Sequence, residues 1–398
     1  MNKEELLTSY QEIYGEKGED VFFSPGRINV IGEHTDYNGG HVFPAAISLG
    51  VYGVYGARSD NKVRLYSGNV DGQIIEFDLD DETVEKDDRF WTNYFKGMLT
   101  YLRHREDGKK INHGFNLYVK ADLPSGSGLS SSAALEMLMG VILKEEFNLD
   151  VDRPTLARLG QRTENEFVGL NSGIMDQFAC IMGKKDSAIF LDCDSMEYAY
   201  KPLDLKDCEI VIMSTNKEHT LADSAYNKRV EECHDAVEKL QTKLAIKTLG
   251  EIDLNTLDEY AYLINNEAEL KRARHAVSEN ERTIRATRAM EENDLEKLGR
   301  LLNASHISLH YDYEVTGKEL DTLVETAWQQ EGVLGARMIG GGFGGSAIAI
   351  VKKDAAEDFK KKVGQIYHDK IGYAASFYDA EIVDGTKKYR RGAKNESN

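Results

Sequence analysis

The segment Leu123-Pro-Ser-Gly-Ser-Gly-Leu-Ser-Ser-Ser-Ala-Ala134 sets two glycines and three consecutive serines ahead of a run of good helix formers. Glycines let a backbone approach a ligand closely, and the start of a helix offers unpaired N–H groups and the positive end of a dipole. Together these make a cradle for an anion such as phosphate. The plainer alternative is an N-cap with a serine-rich turn, but two glycines and three serines exceed what capping needs. No Gly-Lys-Ser/Thr follows, so this is not a Walker A loop and no lysine reaches the phosphates from it.

Three further segments carry polar groups in suggestive patterns. Gly26-Arg-Ile-Asn-Val-Ile-Gly-Glu-His-Thr-Asp-Tyr-Asn-Gly-Gly40 gathers Glu33, His34 and Asp36 within four residues. They could ligate a metal, but no His or Cys at metal spacing supports them. They suit sugar hydroxyls equally well, since carboxylates accept bonds from vicinal hydroxyls and His donates or accepts. A polar surface loop is the third reading, and this segment alone does not decide. In Gly169-Leu-Asn-Ser-Gly-Ile-Met-Asp-Gln-Phe-Ala179 a single acid, Asp176, sits among small and apolar residues, as a helix cap or as a poised base. Gly340-Gly-Gly-Phe-Gly-Gly345 matches G-x-G-x-x-G by count, yet Ser346 to Val351 after it is strand-like, whereas a dinucleotide fingerprint must open a helix. Five glycines between two strands imply instead a backbone passing close to a ligand or to another segment.

The elements that must hold these segments follow from periodicity. Leu6, Leu7, Tyr10, Ile13 and Tyr14 predict a helix over 3–14 that stops at Gly15. Val21-Phe22-Phe23 predicts a strand ending at the turn signal Ser24-Pro25-Gly26. Residues 49–58, 63–67 and 74–77 read as antiparallel hairpin strands, and 115–119 as a further strand leading into the serine loop. Helices are expected from Ser130 and over 154–168, then strands near 187–193, 196–202 and 209–214. From 223 to about 310 the pattern is helical and heavily charged, and its charge runs read as solvated surface. Strands at 335–339, 346–351 and 376–382 enclose a helix over 354–367. A strand-rich first half and a helix-rich second half with a late sheet predict an α+β protein of two domains with a seam near 205.

Composition narrows the class of partner. The 398 residues carry 49 Lys and Arg against 68 Asp and Glu, a net charge of −19. That argues against nucleic acid, which needs clustered cations, and against anionic membranes. No apolar stretch approaches a membrane span, and the N-terminal stretch lacks the apolar core of a secretory signal. Four cysteines, at 180, 193, 208 and 233, form no CxxC or zinc spacing and suit a reducing cytoplasm. Asn303-Ala-Ser305 is then a chance sequon.

In this order the four segments resemble the GHMP sugar and metabolite kinases, over nearly the whole chain. Gly26 to Tyr37 is similar to the signature of their galactose-phosphorylating branch, Leu123 to Ala133 to the superfamily's ATP loop, and Gly340 to Gly345 to its third, glycine-rich motif. The resemblance implies an N-terminal domain, residues 1–205, like ribosomal protein S5, a ferredoxin-like C-terminal domain, residues 206–398, and an active site in the cleft between them. It implies ATP-dependent phosphorylation of D-galactose at its anomeric hydroxyl, with Mg²⁺ as cofactor and no obligatory protein partner. Glu33, His34 and Asp36 would contact the sugar, joined by Tyr226. Asp176 would be the base and Arg27 the cation beside it, since a carboxylate near an arginine is normally kept ionised. Gly126, Ser127, Gly128, Leu129, Ser130, Ser131 and Ser132 would hold the triphosphate, with Ser67 near the nucleotide. Ser132 and Glu164 would hold the magnesium, whose oxygen preference they meet. Two alternatives stay open: a kinase for a related sugar such as N-acetylgalactosamine, and a catalytically silent sensor of sugar and ATP. The intact Ser131-Ser132-Ala133-Ala134 and the presence of Asp176 speak against the sensor.

Overall fold

A computed structural model describes residues 1–70, 72–85, 90–124, 126–217 and 222–389. Ser125 of the serine loop lies outside the described residues.

The first half builds on helix α1 (Lys3–Tyr14), which Asn2 caps by accepting from the Glu4 amide and which ends at Gly15 in the left-handed region, φ 73°. Strands β1 (Asp20–Asn29), β2 (His41–Val42), β3 (Pro44–Ala57), β4 (Lys62–Ser67) and β5 (Ile75–Asp78) follow. Helix α2 (Thr92–Arg103), strand β6 (Phe115–Ala121) and helices α3 (Ser131–Glu146), α4 (Arg153–Arg162) and α5 (Met175–Met182) come next, then β7 (Ser187–Asp192) and β8 (Tyr198–Pro202). The second half runs β9 (Cys208–Ser214), helices α6 (Ala222–Leu240), α7 (Leu254–Tyr260), α8 (Glu267–Glu291), α9 (Leu295–Ser308) and α10 (Gly317–Trp328), the hairpin β10 (Val333–Ile339) and β11 (Ser346–Lys352), helix α11 (Ala356–Ile371), and the strands β12 (Ser376–Asp379) and β13 (Lys387–Lys388).

These strands form a six-stranded sheet of order β13-β1-β3-β6-β4-β5, a four-stranded sheet β10-β11-β9-β12 and a small sheet β2-β7-β8. Two expectations change. The strand at Val21 does not stop at Ser24-Pro25-Gly26 but runs through it to Asn29, with a register shift between Pro25 and Arg27 against β3. Such a bulge takes up the proline and re-aims the side chains after it. Strands β3 and β4 are not hairpin partners either, because β6 lies between them, antiparallel to β3 and parallel to β4.

One apolar core lies between the first sheet and helices α2 to α5, and it takes in Ile339, Ile348 and Ile350 from the second sheet. Another lies between the second sheet and the helices α6, α8, α10 and α11. Residues 381–389 cross the expected seam and return to the first sheet, where β13 is the edge strand beside β1. Among the described residues no helix is long and apolar enough to cross a membrane.

Candidate active site

Arg27 follows the bulge in β1, with its backbone N–H bonded to the Leu129 carbonyl at 3.1 Å. Its guanidinium forks onto Asp176: Nε donates to Oδ1 and Nη2 to Oδ2, both at 2.9 Å. Nη1 donates to the Gly128 carbonyl at 2.6 Å. Burial alone would lower the Arg27 pKa, but the charges of Asp176 and Glu33 outweigh it and raise the value. The Asp176 side chain keeps 28 % of its surface exposed against 4 % for Arg27, so the carboxylate faces the open space and the cation backs it. Asp176 sits in the first turn of α5 and also accepts from the Ser130 hydroxyl. It is not the cap: Ile174 holds that position and its side chain makes no capping bond.

This pair lies on the wall of a cavity of about 320 Å³ that both halves of the chain line, with Glu33, His34 and Asp36 on one side, Gly126, Gly128, Ser130, Ser131 and Ser132 on another, and Tyr226, Gly340 and Phe343 from the second half. The Glu33–Asp36 turn is held from behind by α8. Glu279 accepts from the Gly32 amide at 3.1 Å and from the Ser305 hydroxyl at 2.6 Å, and His275 bonds the Glu33 carbonyl at 3.1 Å. Burial works to raise the Glu279 pKa, but Arg282 and its other partners bring it down to about 2. The charges of α8 are therefore not all solvated surface: Arg272, His275 and Glu279 are buried and do positioning work inside the molecule.

The Glu33 carboxylate accepts from the Gly340 amide at 2.9 Å and lies 3.2 Å from Nη2 of the fully buried Arg337. Its pKa is raised by burial despite Arg337 and Arg27. Asp36 is half-buried, with a pKa pushed up to about 7 by burial and by the neighbouring charge of Asp176. Its carboxylate presses on Gly173 so closely that a Cβ there would sit 2.0 Å from Oδ2, which leaves room for glycine alone. His34 turns into the left-handed region, φ 62°, and both ring nitrogens are engaged, Nδ1 with the Tyr37 hydroxyl at 2.8 Å and Nε2 with the Gly341 carbonyl at 3.2 Å. Burial lowers its pKa to about 3, so the ring is neutral, accepting at Nδ1 and donating at Nε2. A ligand hydroxyl can take either nitrogen only by displacing a bond the protein already makes. Tyr226 packs against the His34 ring, centroids 5.5 Å apart.

The serine loop has both the backbone and the polar groups of an anion cradle. Gly126, Gly128 and Ser130 all have positive φ, 66°, 68° and 63°. Its members do not contribute alike. Ser127 turns its hydroxyl back onto the Pro124 carbonyl at 2.8 Å, and Leu129 is buried in the core, so the loop offers backbone at these two positions rather than side chains. The glycines 340–345 cross this loop: a Cβ on Gly340 would lie 3.1 Å from the Gly128 carbonyl, and the Ser346 hydroxyl donates to the Ser127 carbonyl at 2.6 Å. The backbone that needed glycine thus passes another segment, on the rim of the cavity.

Glu164 is buried in a π-helical turn over Thr163–Val168, where it accepts from the Ser172 and Ser132 hydroxyls. Burial raises its pKa. Behind it Glu136 is fully buried, accepts from Gln177 at 2.9 Å and leaves Oε1 without a partner, and burial holds its pKa well above the carboxylate range. No group of three or more His, Cys, Asp or Glu side chains fit for a metal occurs among the described residues. The Ser132 hydroxyl and the Glu164 carboxylate are hard oxygen donors, and a cation would relieve the burial of Glu164. That suits Mg²⁺ shared with phosphate oxygens and water rather than an all-protein cage.

Of the residues chosen from the sequence, Ser127 and Leu129 do not line the cavity, and Ser67 is not brought to it. Ser67 ends β4 beside Val119 and accepts from the Asn69 amide at 3.3 Å. Arg337, Glu279, Glu136 and Gly173 were missed. Arg337 lies in a plain strand pattern, and only a buried charge inside an apolar run could have marked it.

Known proteins resemble this chain over nearly its whole length. The galactokinase galactose-binding signature matches residues 8–57, the GHMP kinase N-terminal domain 93–184 and the GHMP kinase C-terminal domain 286–369. A galactokinase of Lactobacillus helveticus is 76 % identical over 98 % of this chain and 100 % of its own length, and one of Streptococcus suis is 56 % identical over the same shares. The crystal structure of Lactococcus lactis galactokinase complexed with galactose superposes with a TM-score of 0.94 at 52 % identity, covering 97 % of this chain and 99 % of that one. A mevalonate kinase structure, at 16 % identity and a TM-score of 0.63, shares the fold. The chain has the α+β GHMP kinase fold with its N- and C-terminal domains, and it belongs to the galactokinase family of ATP-dependent kinases.

Proposed function

We propose that the cavity binds D-galactose beside Mg-ATP and that the chain transfers the γ-phosphoryl group to the anomeric hydroxyl, giving galactose 1-phosphate and ADP. The observation that carries this reading is the Arg27–Asp176 fork on the wall of a cavity lined jointly by the sugar-signature residues and the serine loop. Asp176 accepts the hydroxyl proton as the oxygen attacks phosphorus, and the O–P bond to ADP breaks with its electron pair leaving on ADP. Arg27 holds that carboxylate in register with the phosphate loop through Gly128. Phosphoryl transfer asks mainly for positioning and charge neutralisation. Ser132 and Glu164 would hold Mg²⁺, which supplies that neutralisation at the phosphates. Glu33, Asp36 and Tyr226 bound the sugar side, while His34, with both nitrogens engaged, shapes the pocket as much as it bonds the sugar.

The order β12-β9-β11-β10, with helices between β9 and β10 and between β11 and β12, supports a ferredoxin-like C-terminal domain. An S5-like N-terminal domain up to about residue 205 is the matching proposal, with residues 381–389 returning to it. Four free thiols, three of them buried, fit a cytoplasmic enzyme.

A panel of hexoses with Mg-ATP, assayed for sugar 1-phosphate, tests the reading. Galactose is the expected substrate and glucose, differing only at carbon 4, a far poorer one, because polar groups built for an axial hydroxyl are left unpaired. Equal catalytic efficiency on both sugars, or a preference for the 2-acetamido analogue, overturns it. For the metal, Ser132→Ala and Glu164→Ala are expected to raise the magnesium concentration needed for nucleotide binding, measured by titration with and without the cation, while galactose affinity stays close to wild type. Unchanged magnesium dependence in either variant removes that residue from the ligand set.

A further inference from the structure

Helix α5 has eight residues, too few to be stable alone, and its last four carbonyls need partners from elsewhere. Each finds one. Ala179 accepts from the Gly183 amide at 3.1 Å, Ile181 from Arg153 at 2.6 Å and Met182 from the Tyr200 hydroxyl at 2.7 Å. The Cys180 carbonyl is taken by Thr386, from its amide at 2.9 Å and its hydroxyl at 3.0 Å. The same hydroxyl lies 2.8 Å from that of Ser24 in β1, and both residues are fully buried. Next to it the Gly385 amide donates to the Gly183 carbonyl at 2.8 Å. Ser24 stands three residues before Arg27, and Cys180 one helical turn after Asp176. The C-terminal strap is therefore stitched, through one hydroxyl, to both elements that carry the Arg27–Asp176 fork.

We propose that Thr386 is a positioning residue for the reaction, setting β1 against α5 so that Arg27 and Asp176 meet in register. It touches no substrate and acts through the two elements it bridges. The inference rests on the reading of Asp176 as the base.

Thr386→Val keeps the branched shape and removes the hydroxyl. Expected is a fall in kcat of about tenfold, the size of one positioning hydrogen bond, with the KM for ATP within about twofold of wild type. Thr386→Ser, which restores the hydroxyl, should recover most of the rate. In an Asp176→Asn background the valine should lower the residual rate less than about twofold, because a base that is absent cannot be misplaced. Wild-type kcat in a folded Thr386→Val, whatever its Tm, overturns the proposal, as does a full tenfold loss in the Asp176→Asn background. If the valine variant does not accumulate folded, Ser24→Ala, which removes one bond of the same bridge, is read in the same assay, and wild-type kcat there overturns it too. If Asp176→Asn by itself keeps normal turnover, the assignment of the base fails, which is a separate result from wild-type turnover in Thr386→Val alone.

Discussion

Asp176→Asn is expected to cut turnover by about 10²–10⁴-fold, the range for losing a general base, while galactose still binds. The substitution keeps the size of the side chain and most of its bonds. Asn can still accept from one guanidinium nitrogen of Arg27 and from the Ser130 hydroxyl, although the two-oxygen fork is lost. It cannot take the sugar's proton. Had Asp176 been a helix cap, Asn would serve equally well, but Ile174 occupies the cap and the Asp176 carboxylate is engaged with Arg27 and Ser130. Steady-state kinetics together with a galactose titration on the folded variant check the outcome. Near-normal turnover would remove Asp176 from the reaction.

Arg337→Met should destabilise the protein by about 3–5 kcal/mol, the cost of leaving a buried charge without its partner. Arg337 is fully buried and its Nη1 donates to the Asn29 and Val30 carbonyls at 2.9 and 3.2 Å. Its Nη2 faces Glu33 at 3.2 Å, so the methionine strands a carboxylate that burial already disfavours in its charged form. Denaturant unfolding read at equilibrium measures the loss. Adding Glu33→Gln should restore part of it, because the stranded charge is then gone. A double variant no more stable than Arg337→Met would show that the two carbonyls, and not Glu33, carry the effect.

The elements around the chemistry were legible because they follow periodicity and turn signals: the helix over 3–14 with its glycine stop, the strand into the serine loop, and the strand after Gly345 that excludes a dinucleotide fold. The strand through Pro25 was not, since proline and glycine normally end a strand and only the facing β3 shows that a bulge absorbs them. Nor was the insertion of β6 between β3 and β4, because nearness in sequence favours the hairpin and pairing over longer separations leaves no local trace. At the site, Glu33, His34, Asp36 and Asp176 stood out by type within short segments, whereas Arg27, Tyr226 and Glu164 entered only through the family resemblance. Arg337, Glu279 and Thr386 did neither, because each acts on a segment hundreds of residues away and looks ordinary among its own neighbours. Buried charge on α8 was read as surface for the same reason: a helix pattern of Glu and Arg does not say which of them face an anion or amide on another element.

The pairing of Ser24 with Thr386 spans 362 positions. During synthesis β1 and β3 emerge close together, yet the strand that closes the β1 edge follows them by hundreds of residues. Until then that edge exposes unpaired backbone groups, the kind of surface through which nascent chains join one another. Completion of the first sheet must therefore wait until β13 has been made, and such distant closure slows folding. A chain interrupted before residue 386 would carry every residue assigned to the chemistry and still lack the segment that locks them together.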